Sequence, residues 1–290
     1  MAKLHIRKSN HAMNRSLGGD IGINAVLLVF GAFMFLPMLY TILQSLKPLD
    51  ELWQFPPRFF VRNPTMNNFK TLFNLMSNSW VPFSRYIFNT AFVSILGTFG
   101  NVMFSSAAAY TLAKMKFPGK NVLFKIVVYS LMFHTTVTAI TNFFTMSVLH
   151  LIDTYWARII PACATSMGLY LMKQFMETSV PTTVLESARL DGASELRVFW
   201  QIAMPMVKPA WLTLIVFCFK DLWNAGHTIY IYTEQFKSFN YAIQQIVTGG
   251  ISRQGAGAAA TVIMMLVPIG VFVLTQSNII ETMSTSGMKD

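Results

Sequence analysis

The chain has 290 residues, of which 53% are hydrophobic and only 12% charged, with 25 Phe, 19 Met and a net charge of +10. A soluble domain carries about 25% charged residues, so half that share argues against a soluble fold and for a lipid-embedded one. The basic residues are spread between apolar runs rather than clustered, which reads as a topology signal and not as a nucleic-acid surface.

Lys3, Arg7, Lys8 and Arg15 lie in an N-terminal tail, 1–20, ahead of the uncharged run 21–46. That run exceeds the roughly 7–15 residues of a signal-peptide core and reads as a first membrane span. Segment 47–85 contains Pro48, Pro56, Pro57, Pro64 and Pro82 with Trp53, Phe55, Phe59, Phe60 and Trp80. It reads as an external loop stiffened by proline, packing on its own bundle or meeting an external partner. Further runs cover 86–113, 126–152, 159–172, 209–233 and 254–280. The short fourth run reaches span length by adding Tyr155, Trp156, Phe175 and Met176, and without it the count falls to five. The expected fold is an all-α integral membrane protein with six transmembrane helices, a core domain over 86–280 and a C-terminal tail over 281–290. Gly249, Gly250, Gly255 and Gly257 read as a flexible external loop before the last span.

Six spans put both termini on one side. With the N-terminus inside, thirteen Lys and Arg fall in inside segments and eight in outside ones. Lys114, Lys116, Lys120 and Lys125, with no acid among them, make loop 114–125 the strongest indicator. Both termini are therefore expected in the cytoplasm.

Three spans carry polar residues at helical spacing. Thr90, Ser94, Thr98, Asn101 and Ser105 are mainly small and suit close helix packing near Gly97 and Gly100. His134, Thr138, Thr141, Asn142 and Thr145 form a second stripe, open to either reading. Thr213, Lys220, Asp221, Asn224, His227 and Thr228 form a third. Charges at mid-membrane depth are costly and face protein or water, so His134, Thr138, Asn142, Lys220, Asp221, Asn224 and His227 are the candidate translocation path. Adjacent helix positions do not face each other, so Lys220 and Asp221 are expected to need separate partners or a water-filled cavity.

Cys163 and Cys218 lie in apolar runs without ligand spacing, which favours burial as small apolar residues over a disulfide or metal site. No nucleophile, zinc or phosphate-loop motif occurs: the nearest candidate, PGKN at 118–121, lacks the required glycine and hydroxyl. The chain therefore reads as a non-catalytic subunit that binds no metal or cofactor, and it is too short between spans to hold an ATPase domain.

The most charged internal segment is VPTTVLESARLDGASELRVFWQIAMPMVKPA, residues 180–210. Thr183 and Glu186 have the spacing of a capping box. Gly192 suits the left-handed residue that ends a helix. Ser194 suits the cap of a second amphipathic helix through Leu196, Phe199, Trp200 and Ala203, ended by Pro205 and Pro209.

In that segment, E-S-A-R-L-D-G, nine residues, then I-A-M-P resembles the EAA loop of permease subunits in binding-protein-dependent ABC importers. Glu186, Ala188, Gly192, Ile202 and Pro205 match in register, with Ser187 for Ala and Met204 for Leu. KPLDELWQFPPRFF near the first span, Leu222–Asn224 and the tail from Gln276 to Lys289, in which Thr282 stands where the family has glycine, resemble the maltose-type carbohydrate branch. The resemblance implies a type I importer permease fold with a cytoplasmic coupling helix in loop 180–206. It implies a bacterial cell-membrane location, a sister permease, two ATPase subunits that hold ATP-Mg, an extracytoplasmic solute-binding protein and a carbohydrate substrate. Glu186, Ser187, Ala188, Asp191, Gly192, Ile202 and Pro205 would then form the ATPase-coupling surface. The rival readings are a secondary transporter using Lys220, Asp221 and His227 as an ion relay, and a membrane enzyme using His134 and His227.

Overall fold

The computed structural model describes residues 17–77, 80–133, 135–226 and 228–286. Among these, every regular element is a helix. In chain order they are α1 (Leu17–Leu46), α2 (Leu49–Leu52), α3 (Asn67–Ser77), α4 (Phe83–Lys114), α5 (Lys120–Ser130), α6 (Thr135–Val148), α7 (Trp156–Cys163), α8 (Ser166–Ser179), α9 (Thr182–Leu190), α10 (Glu195–Val198), α11 (Met204–Met206), α12 (Lys208–Trp223), α13 (Phe239–Thr248) and α14 (Gln254–Ser286). A π-helical turn, Phe199–Ala203, joins α10 to α11.

The central strut is α4, whose 32 residues extend about 48 Å at 1.5 Å per residue. It packs against α7, α8 and α12, while α14 packs against α1, α3, α12 and α13. Thr90, Ser94, Thr98, Asn101 and Ser105 are all buried along α4. A Cβ at Gly97 would meet Leu222 and Ala162, and one at Gly100 would meet Cys163, so the small-residue face of α4 serves close packing. Cys163 and Cys218 are half-buried free thiols.

Among the described residues, three helices are individually long and apolar enough to cross a membrane: Gly18–Leu46, Phe83–Lys114 and Gln254–Ser277. The other expected spans are built from pieces. The third is divided into α5 and α6. The fourth breaks after α7, which contains Pro161, and restarts where Thr165 caps α8 by accepting from the Gly168 N–H. The fifth stops at Trp223 rather than reaching 233, because the next carbonyls are taken from outside the helix. Arg158 donates to Ala225 O and Gly226 O at 3.1 and 2.8 Å, and Ser238 Oγ donates to Ala225 O at 2.9 Å.

Segment 47–85 does pack on its own bundle, with Leu72 and Met76 of α3 buried against the α13–α14 region. Of the four glycines before the last span, Gly249 and Gly250 lie in the turn after α13. Gly255 and Gly257 lie in the first turns of α14, where a Cβ would strike Asn68 and Val247 respectively.

Candidate functional site

Two structured segments cap opposite ends of α4: 180–207 and 224–238. At the first, Leu185, Val198, Phe199, Ala203, Met204 and Val207 are buried in one apolar cluster with Ala109 and Tyr110 of α4 and Met172 and Met176 of α8. The charged segment is thus a lid with an apolar underside, built on the bundle.

The helix α9 starts two residues earlier than a capping box at Thr183 requires. Pro181 occupies the cap position without a side-chain bond, and Thr183, already helical, has its carbonyl accept from Ser187 Oγ at 3.0 Å. A proline at the boundary fixes the start, so no hydroxyl cap forms there. The C-terminus follows the expected turn. Gly192 has φ +81°, Ala193 N–H donates to Ala188 O and Gly192 N–H to Arg189 O, each at 3.0 Å. This is the paired bonding of a Schellman ending, whose left-handed residue favours glycine. Ser194 occupies the next cap position, but its side chain makes no cap bond.

Pro205 does not end the second helix. The helical path continues through the π turn and α11 to Val207 and then bends by 80° into α12. The bend sits where Pro209 has no N–H for the carbonyl four residues back and its ring would collide with that carbonyl. Trp211 Nε1 donates to Met204 O at 3.1 Å, satisfying a carbonyl near the bend.

Of the proposed coupling residues, Glu186, Ser187, Asp191, Gly192 and Pro205 are exposed, while Ala188 and Ile202 are half-buried. Leu190 and Leu196 are 89% and 73% exposed beside them, which makes a mixed charged and apolar outer face. A clamp not foreseen from the sequence fixes its shape. Arg189 Nε and Nη2 donate to the two carboxylate oxygens of Glu195 at 2.6 and 3.3 Å, and Tyr110 OH donates to Glu195 Oε2 at 3.0 Å. The Arg189 guanidinium holds the Glu195 carboxyl below its ordinary range, with the Tyr110 bond adding to the effect against burial.

The opposite end is tied by polar groups. Asn89, fully buried, donates from Nδ2 to Gln235 O and Lys237 O at 2.8 and 2.9 Å and accepts from Tyr155 OH at 2.7 Å. Tyr86 OH donates to Glu234 Oε1 at 2.8 Å, and Glu234 also pairs with Lys237 at 2.7 Å. Asp153 Oδ1 accepts from the Tyr232 and Thr233 N–H groups at 3.0 and 2.8 Å, and its Oδ2 accepts from the Thr233 hydroxyl. Burial works against the Asp153 charge, yet the bonds from Thr233 and Tyr232 hold its pKa below the ordinary value.

His134 and His227 lie outside the described residues. Thr138 is half-buried and Asn142 exposed on α6. Lys220 and Asp221 are both exposed on α12. Their side chains, 56% and 74% exposed, approach each other at 3.6 Å, because long flexible side chains at an open helix surface can fold back toward a neighbour. Asn224 is exposed and its carbonyl accepts from Asn240 Nδ2. Asp221 borders a cleft of about 220 Å³ with Asn101, Thr165, Phe217 and Cys218. That cleft lies among α4, α7, α8 and α12 and takes no residue from α6. Among the described residues no cluster of His, Cys, Asp and Glu forms a metal site.

Residues 22–282 match the family described as binding-protein-dependent transport system inner membrane component. Protein LplC of Bacillus subtilis (strain 168) is 34% identical over 194 residues, 67% of this chain and 63% of that protein. The polygalacturonan/rhamnogalacturonan transport system permease protein YtcP of the same strain is 27% identical over 247 residues, 82% of this chain and 84% of that one. A chain in the crystal structure of a bacterial ABC transporter involved in the import of the acidic polysaccharide alginate superposes with a TM-score of 0.75 at 23% identity, covering 91% of this chain and 98% of that one. At that identity the likeness speaks for the fold.

Proposed function

Because the chain belongs to the family of inner membrane components of binding-protein-dependent transport systems, we propose that it is one of two paired permease subunits of an ATP-driven importer for a sugar or oligosaccharide. It is a multi-pass, non-catalytic membrane subunit. In this reading it has six spans and cytoplasmic termini, and segment 180–207 faces the cytoplasm. There α9 seats in a cleft of a partner ATPase, with Glu186, Ser187 and Asp191 at the contact, Ala188, Ile202 and Pro205 shaping its base, and Gly192 allowing the turn.

The observation that supports this best is the construction of 180–207. An apolar underside is fixed to α4 and α8, and the outer face carries Glu186 and Asp191 exposed, turned away from that cluster. Such a lid transmits displacement: closure of an ATPase dimer, with ATP-Mg held by that partner, would shift α9, and the buried contacts of Leu185 and Val198 would carry the shift into α4 and α12. The chain's own residues hold no nucleotide. A sister permease would complete the path, to which His134, Thr138, Asn142, Lys220, Asp221, Asn224 and His227 are candidates, and an extracytoplasmic binding protein would deliver the carbohydrate. The names of relatives such as YtcP and the arabinooligosaccharides permease AraQ favour that substrate class.

The test is to purify the chain with its accompanying subunits and to measure carbohydrate uptake in cells. An ATPase is expected to copurify, and Glu186→Lys and Gly192→Pro are expected to abolish uptake while the chain still reaches the membrane. Uptake that persists without an ATPase, driven by an ion gradient and sensitive to Lys220 or Asp221, would establish a secondary transporter instead.

A further inference from the structure

Between α4 and α5 the chain turns through Gly119, at φ +85°. The turn encloses a groove of about 340 Å³ whose lining includes Met115, Lys116, Phe117, Lys120 and Asn121. Lys120 Nζ donates to Ala113 O and Met115 O at 3.2 and 3.4 Å, so its charge is fixed at the groove while it closes the end of α4. Lys116 is exposed beside it. No Asp or Glu occurs anywhere from 103 to 152, and Glu177, on the neighbouring α8, is engaged by Lys173 at 2.7 Å.

The orientation of α5 is set by its inner face, where Phe124 stacks on Tyr170 at 6.1 Å and lies 3.8 Å beneath Lys173 Nζ. Its outer face presents Val122, Ile126 and Tyr129, at i, i+4 and i+7, with exposures of 62%, 58% and 61%. Lys125 is exposed within one turn of the groove. A lysine on an apolar helix face lays its methylenes along that face and carries its ammonium to the polar boundary. Three lysine charges are thus set above a continuous apolar stripe, and Glu177, the acid on the adjoining helix, is already paired with Lys173.

We propose that the groove formed by Lys116 and Lys120, with Lys125 at its lower edge, binds the headgroup of an anionic phospholipid whose acyl chains lie along Val122, Ile126 and Tyr129. Basic pockets at the ends of membrane helices suit such headgroups. The site needs only that the chain is membrane-embedded, and it stands apart from the identity of cargo or ATPase.

The experiment uses the purified assembly in nanodiscs of phosphatidylcholine doped with phosphatidylglycerol, with retained lipid read by native mass spectrometry. Phosphatidylglycerol is expected to be enriched, with an advantage that shrinks as salt is raised. The K116Q/K125Q double variant is expected to lower its retention about thirtyfold, from roughly fivefold per lysine at a membrane surface. K116R/K125R is expected to keep it, and Lys120 is left in place because it also closes α4. Equal retention of the two lipids overturns the proposal, as does full retention by K116Q/K125Q. Displacement by inorganic phosphate alone would mark a free-phosphate site and also overturns it. So would dissociation of a protein subunit from K116Q/K125Q with phosphatidylglycerol still bound, since that would mark a protein contact.

Discussion

The two ends of α4 hold their segments by different physics. At 180–207 the fixing contacts are apolar and point inward, leaving charges such as Glu186 and Asp191 turned outward. At 224–238 the fixing contacts are directional hydrogen bonds donated by Asn89, Tyr86 and Arg158 and accepted by Asp153. Apolar contact tolerates small sliding, because dispersion and burial depend weakly on angle. A set of buried hydrogen bonds has one geometry and loses strength steeply away from it. The first end is therefore built to be pushed as a unit, and the second to keep a loop in one shape.

Four substitutions test that contrast. Leu185→Ala removes the buried residue of α9 and is expected to cost about 2–5 kcal/mol. The result should be a lower melting temperature and protease cleavage confined to 182–196. If 224–238 becomes cleavable to the same extent, the two ends are not independently held. Asn89→Ala leaves two carbonyls and the Tyr155 hydroxyl without their partner, at about 1–3 kcal/mol for a buried unsatisfied group. Hydrogen exchange is expected to accelerate over 232–239 and to stay unchanged over 182–196.

Gly192→Val forces a β-branched residue into a left-handed conformation, at about 1–2 kcal/mol. It is expected to reduce transport more than it reduces stability, and equal losses of both would remove the turn's special role. Glu195→Gln has the smallest effect, about 0.2–1 kcal/mol for an exposed pair. The Glu195 pKa is depressed in the folded chain, so its contribution is present above the ordinary carboxylate range and is lost as pH falls through the folded value. The melting difference between the parent and Glu195→Gln should therefore close on acidification. A difference that persists would show that Tyr110 and Arg189 act without the charge.

Local features were legible in the chain itself. Gly192 reads as a left-handed helix end because its neighbours on both sides are helix formers, and its φ of +81° agrees. The long apolar runs at 21–46, 86–113 and 254–280 correspond to α1, α4 and α14, since continuous apolarity over that length admits only a helix in lipid. The breaks in the third and fourth runs were not legible from hydropathy, which does not register a helix cap such as Thr165, whose side chain accepts from the Gly168 N–H at the start of α8. The 3.6 Å approach of Lys220 to Asp221 depends on side-chain length and not on the direction of adjacent helix positions, so residue spacing does not register it.

Composition, apolar run length and the spacing around Glu186 and Gly192 determined, by themselves, a helical membrane protein with a charged two-helix segment between spans, because burial in lipid and helix-ending geometry are local requirements. Only the tertiary structure decided that this segment is fixed by an apolar underside, that Tyr110 reaches Glu195 from 85 residues away, and that Asn89 closes a loop 146 residues further on. Those contacts depend on where α4 passes between α7, α8 and α12, and a hydrogen bond across such distances in sequence leaves no periodic trace in it.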